Sequence, residues 1–138
     1  MSFLLDTNVV SEWMKPQPNS ALIAWLAEVD EDRVFLSAIT LTELRYGIER
    51  MVAGKRRRRL EDWLVHDLPL RFEGRILGIE ENVAHQCGQL LARRKAAGHP
   101  LGAMDAFLAA TAAVYSLTLV TRNDSDFQNT VPCINPWN

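Results

Sequence analysis

The chain has 138 residues, 48% hydrophobic and 23% charged, which suits one globular domain with a core of its own. A formal net charge of −2 argues against a bulk polyanion binder. No apolar stretch approaches the ~18 to 20 residues of a membrane span, and Met1–Asp6 lacks the basic start of a signal peptide. Cys87 and Cys133 stand far apart without a CxxC or a Cys/His cluster. They read as two structural thiols of a reduced, cytoplasmic protein, with no thiolate metal site.

Phe3-Leu4-Leu5 predicts a short buried strand ending at Asp6. A short helix is expected over 9–14, stopped by Lys15-Pro16-Gln17-Pro18. Asn19 or Ser20 can cap the next helix, whose Leu22, Ile23, Leu26 and Val29 share a face. Val34-Phe35-Leu36 is a second strand. A helix from Leu41 follows, with Leu44, Ile48 and Met51 at helical spacing and Gly54 as its stop. The basic run Lys55-Arg56-Arg57-Arg58-Arg59 leads a helix that ends before Pro69.

Ile76–Ile79 is a third strand, and Glu80–Ala97 a helix closed by Gly98-His99-Pro100. The small-residue stretch 102–115 is the next helix. Leu117–Thr121 is the clearest strand, rich in β-formers. Val131–Ile134 reads as a short edge strand between two prolines. Strands alternate with helices, with no repeat or domain break. That order predicts one α/β domain over residues 1–138, an α/β/α sandwich around a parallel sheet. Ligands of such sheets bind beyond the carboxyl ends of the strands.

Acids gather at that edge. Asp6 follows the first strand, Glu43 lies in the helix after the second, and Asp105 lies in the first turn of the helix before the fourth. Asn123, Asp124 and Asp126 follow the fourth strand. Singly, each has a structural explanation. Asp6 suits a turn or cap, Thr40-Leu41-Thr42-Glu43 has the form of a capping box, and Asp105 suits the helix dipole. Together they repel one another unless a cation offsets them. A hard ion such as Mg²⁺ or Mn²⁺, with oxygen ligands, matches that donor set. Phosphodiester hydrolysis is the chemistry it would serve.

The segments LLDTNVVSE (4–12), LSAITLTELRYGI (36–48), GAMDAFLAATA (102–112) and VTRNDSDF (120–127) carry a resemblance over nearly the whole chain. In them the sequence resembles PIN-domain ribonucleases of the VapC toxin type. PQPN (16–19) and NPW (135–137) narrow the likeness to the FitB-like branch. The resemblance implies a Mg²⁺- or Mn²⁺-dependent endoribonuclease, a cognate VapB-type antitoxin, operator DNA reached only through that antitoxin, and a homodimer. It implies Asp6, Asp105 and Glu43 as the metal and catalytic acids. The fourth acidic position holds Asn123, with Asp124 beside it, and which of the two fills the role stays open. Thr7, Asn8, Ser37, Thr40 and Arg122 are candidate supporting residues.

Lys55, Arg56, Arg57, Arg58 and Arg59 read equally as a solvated helix start or as a guide for RNA phosphates. Five cations there oppose the helix dipole. Trp13, Trp25 and Trp63 lie on or near apolar faces and read as core or partner contacts rather than base stacks. The resemblance places Trp13 and Trp25 beside an antitoxin groove. The main alternative is a catalytically weak PIN-fold module that acts in a DNA-bound complex with its antitoxin. A receiver domain or haloacid-dehalogenase phosphatase is disfavoured, because Asn8 stands where the phosphatase needs a second Asp. A flap-type DNA nuclease would show a similar acid pocket.

Overall fold

The computed structural model describes residues 1–137. Its sheet has five parallel strands in the order β3-β2-β1-β4-β5. These are β1 (Phe3–Leu5), β2 (Val34–Ser37), β3 (Ile76–Leu77), β4 (Thr118–Val120) and β5 (Cys133–Ile134). The helices are α1 (Thr7–Trp13), α2 (Ser20–Glu28), α3 (Ala38–Glu49), α4 (Lys55–Asp62), α5 (Leu68–Arg71), α6 (Glu81–Ala96) and α7 (Ala103–Val114).

Successive strand residues point to opposite faces. Phe3 and Leu5 enter one core with Val34, Leu36 and Val120, packed against α1 to α5. Leu4 and Leu119 enter a second core beneath α6 and α7. Alanines at 106, 109, 110 and 112 let α7 lie close to the sheet and to α6. The α/β/α sandwich expected from the alternation is the architecture found.

The chain runs from β1 outward through β2 to β3, then returns to place β4 on the other side of β1. The order therefore reverses between β1 and β4. A crevice opens at such a switch point because the following connections diverge to opposite faces.

Several boundaries differ from the sequence expectation. α1 begins at Thr7 because the Asp6 carboxylate accepts the Thr7 N–H at 2.6 Å. α3 begins at Ala38, capped by Ser37, whose hydroxyl accepts the Ile39 N–H at 3.0 Å. The Thr40–Glu43 capping box is therefore not formed, and both residues lie inside the helix. Gly54 does not end α3; the helix stops at Glu49 and Gly54 instead precedes α4. The chain also stays helical through Pro69. A π turn over Trp63–Asp67, with the Leu68 N–H bonded to the Trp63 carbonyl, widens the helix just before the residue that has no N–H to give.

α6 ends as expected at Gly98, whose φ of +79° is costly for other residues. The His99 N–H reaches the Arg94 carbonyl and the Gly98 N–H that of Lys95, closing a Schellman motif. Both cysteines are free thiols, Cys87 buried and Cys133 half-buried. Among the described residues, no helix is long and apolar enough to cross a membrane.

Leu119 is fully buried on β4 and bridges the sheet to α7. Leu119→Ala is expected to lower unfolding free energy by about 2–5 kcal/mol in urea titrations, since the surrounding sheet cannot collapse into the void.

Candidate active site

The seam between β1 and β4 builds the centre of the site. The Asp6 N–H bonds to the Val120 carbonyl at 2.9 Å, continuing the β1–β4 ladder by one residue. The buried Thr121 hydroxyl donates to Asp6 Oδ2 at 2.8 Å. With the Thr7 N–H on Oδ1, both carboxylate oxygens are held and the side chain is only 5% exposed. Asp6 is thus a helix cap and a pocket residue at once.

Glu43 reaches the pocket from the second turn of α3. The Thr7 hydroxyl donates to its Oε1 at 2.7 Å and lies 3.3 Å from the Thr40 hydroxyl. Asp105 arrives from the first turn of α7, half-buried. The pocket, about 390 Å³, is lined by these three carboxylates with Thr7, Asn8, Ser11, Glu12, Lys15, Arg122 and Asn123. The Asn123 N–H donates to Thr121 Oγ1 at 3.0 Å, and the Arg122 N–H to Asn8 Oδ1 at 3.3 Å. Ser37 and Thr40 lie outside this lining and serve α3 and the Thr7 contact.

Of the two candidates for the fourth position, Asn123 lines the pocket. Asp124 turns to Asn135, whose Nδ2 donates to Asp124 Oδ1 at 3.1 Å. Asp126 contributes at longer range, through its charge on Asp105.

The electrostatics are those of acids crowded without a counter-ion. Burial pushes the Asp6 carboxyl up to about 6, against the pull of the Thr121 and Thr7 hydrogen bonds, and the charges of Asp105 and Glu43 raise it further. The Asp105 carboxyl is also raised, by burial first and then by Glu43 and Asp126. Among the described residues, no three side chains already stand as a closed ligand set. The acids offer only oxygens, and the cost of the buried Asp6 charge, with the added repulsion of Asp105 and Glu43, is what a divalent ion would relieve. In chemistry the residues suit a hard divalent cation.

Sequence reasoning missed two participants. Thr121 read only as a β-former. Glu12, 8% exposed, accepts from Lys15 Nζ at 2.9 Å and from the Asn19 N–H at 3.0 Å. The Lys15 bond holds its carboxyl below the usual range. Glu12 thereby ties Lys15 to the pocket wall, and the i, i+3 spacing of the pair was its one readable signal.

The tryptophans divide. Trp13 lines a separate apolar pocket with Leu5, Ile23, Leu26 and Phe72, and Arg71 stacks on its ring at 4.2 Å. Trp25 is not part of that lining and packs edge-on against Phe3 at 5.1 Å. In the basic run, Arg57 bonds Glu49, Glu61 and the Met51 carbonyl, fastening α4 to the end of α3.

Fold and pocket together define the class, a small α/β/α sandwich with acids clustered at the switch point of its sheet. Residues 3–131 match the PIN domain. The chain is 42% identical over 135 residues to Toxin FitB of Neisseria gonorrhoeae, covering 97% of both chains. It is 36% identical to the VapC ribonuclease Y4jK of Sinorhizobium fredii, covering 97% and 96%. Among solved structures, FitAB bound to an IR36 DNA fragment superimposes with a TM-score of 0.92 at 39% identity, covering 99% of this chain and 96% of that one. The chain belongs to the PIN-domain family.

In the metal-free protein, the native state binds a proton at Asp6 more tightly than the unfolded chain, whose carboxyl sits near 3.8. This group therefore lowers stability as pH rises from 4 to 6. Asp105→Asn removes one source of repulsion. Its melting temperature without metal is expected to exceed that of the unmodified chain by roughly 2–6 °C at pH 7, with the difference closing towards pH 4. By NMR, the Asp6 carboxyl should titrate lower in Asp105→Asn. In Thr121→Val, which loses the 2.8 Å hydrogen bond, it should titrate higher than in the unmodified protein.

Proposed function

We propose that this chain is a metal-dependent endoribonuclease and the toxin half of a toxin–antitoxin pair. The observation that carries this reading is the pocket in which Asp6, Glu43 and Asp105 meet, with Asp6 desolvated. Membership of a family whose named relatives include a VapC ribonuclease supports it.

Asp6 and Asp105, with Glu43, would hold Mg²⁺ or Mn²⁺. Bound there, such an ion supplies Lewis-acid charge to the phosphoryl group and makes water easier to deprotonate. Glu43, steadied by the Thr7 hydroxyl, is the base placed to take the proton of the attacking water. Asn123 orients that water, its own backbone fixed by Thr121. Lys15 and Arg122, on the same wall, receive the RNA phosphate. The exposed cations of the basic run extend the positive path along α4.

The partner in this reading is a VapB-type antitoxin, with a segment seated on the apolar pocket around Trp13 and Phe72. The pair would reach operator DNA through the antitoxin, and the chain would act as a dimer. The similarity to FitAB on DNA supports that assembly. It also supports the second reading, a catalytically weak module whose work is done in the DNA-bound complex.

The purified chain is expected to cleave single-stranded RNA with Mg²⁺ or Mn²⁺ and to stop when EDTA is added. Asp6→Asn and Asp105→Asn should each slow cleavage by about 100-fold or more. If Asp105→Asn cleaves as fast as the unmodified chain, the assignment of the acids is wrong. If the unmodified chain is no faster than Asp6→Asn yet still assembles with antitoxin on DNA, the second reading holds.

A further inference from the structure

We propose that the groove beside the acids seats the base of the RNA nucleotide adjoining the cleaved phosphate. This deepens the nuclease reading and rests on it. The groove, about 260 Å³, lies between α1, α3 and α4 and shares Ser11, Lys15 and Glu43 with the acid pocket. The two cavities form one trough. Glu43 and Gly47 lie on one face of α3, one helical turn or about 6 Å apart, the acid on the wall common to both cavities and the glycine in the groove. A strand whose phosphate rests at the acids lays its neighbouring base over Gly47.

The floor suits a flat apolar ring. Leu44 and Ile48 are buried beneath it, and Leu60 of α4 and Trp63 at the start of the π turn, both packed on the core, form the opposite side. Gly47 keeps the floor open, since a Cβ built there meets nothing within 4 Å. Glycine inside a helix costs about 1 kcal/mol relative to alanine, so a larger residue at 47 is tolerated by the helix and would occupy the groove. Trp63, read from sequence as a core or partner residue, thus also presents a surface to the groove.

The rim carries the charge an RNA strand answers. Lys15 and Arg56 both line the groove, Lys15 held there by its ion pair with Glu12. Within the basic run, Arg57 is committed to Glu49, Glu61 and Met51. Among the described residues no ion pair engages Arg56. An apolar floor between cations matches an unpaired base flanked by its phosphates. An apolar segment of a protein partner would leave Arg56, which no ion pair engages among the described residues, unanswered.

Gly47→Leu fills the floor and leaves the acids in place. It should fold with an unchanged or higher melting temperature. Binding of a fluorescein-labelled single-stranded RNA in EDTA, followed by anisotropy, is expected to weaken about 10-fold or more. After the cleaved bond is mapped, KM for RNA cleavage should rise by a similar factor. RNA made abasic at the adjoining nucleotide should lose the same affinity on the unmodified chain and lose nothing further on Gly47→Leu. Arg56→Gln should flatten the slope of log affinity against log salt by about 0.7.

Equal RNA affinity for Gly47→Leu and the unmodified chain overturns the proposal. So does a Gly47→Leu chain that binds RNA normally but no longer binds its antitoxin, which would assign the groove to a peptide. If the unmodified chain cleaves nothing while Gly47→Leu still weakens RNA binding, the base site stands and the nuclease reading falls.

Discussion

The Asp6 carboxylate is buried at the seam of the two central strands, and the site is arranged around that constraint. A charge taken out of water needs hydrogen bonds or a counter-charge. Thr121 and the Thr7 N–H supply the bonds. They do not offset burial, because the carboxyl still sits at about 6. The remaining demand is for positive charge, and it is sharpened by Glu43 and Asp105. The fold holds an electrostatic deficit open at a fixed place, which only a cation or a proton can close.

The surroundings are organised to keep that deficit local. Lys15 and Arg122 stand on the pocket wall, yet Lys15 is paired to Glu12. A lysine anchored this way stays beside the acids without collapsing onto them. Arg57 performs a related service farther out, tying α4 to the end of α3 and so fixing where the rest of the basic run is displayed. Positive charge is thus held near the acids but kept from neutralising them.

Much of this was legible in the sequence, and the gaps have physical causes. The strands were readable because parallel sheets buried on both faces leave unbroken apolar runs. The acids were readable because they follow those runs directly or sit at helical spacing from them. Thr121 was not, since a threonine ending a strand looks the same whether or not its hydroxyl meets a carboxylate 115 residues away. The start of α3 was misplaced because Ser37, Thr40 and Glu43 offer two competing caps, and tertiary contact with Thr7 takes Glu43 away from the backbone. Pro69 read as a stop, because nothing in the sequence announces the π turn that accommodates it. Trp25 resembles Trp13 in sequence context, and only packing against Phe3 separates them.

The strand order also bears on how the protein is made. The pocket needs Asp6 from the start of the chain, Asp105 from α7, and Thr121 and Asn123 from beyond β4. The strand that carries Asp6 is paired on one side by β4. During synthesis, β1 waits for a neighbour that follows it by about 115 residues, Phe3 pairing with Thr118. No nascent fragment that stops before Asn123 contains the complete constellation. A chain interrupted before β4 therefore carries acids but no assembled pocket, and whatever chemistry the pocket performs is withheld until β4 has been made.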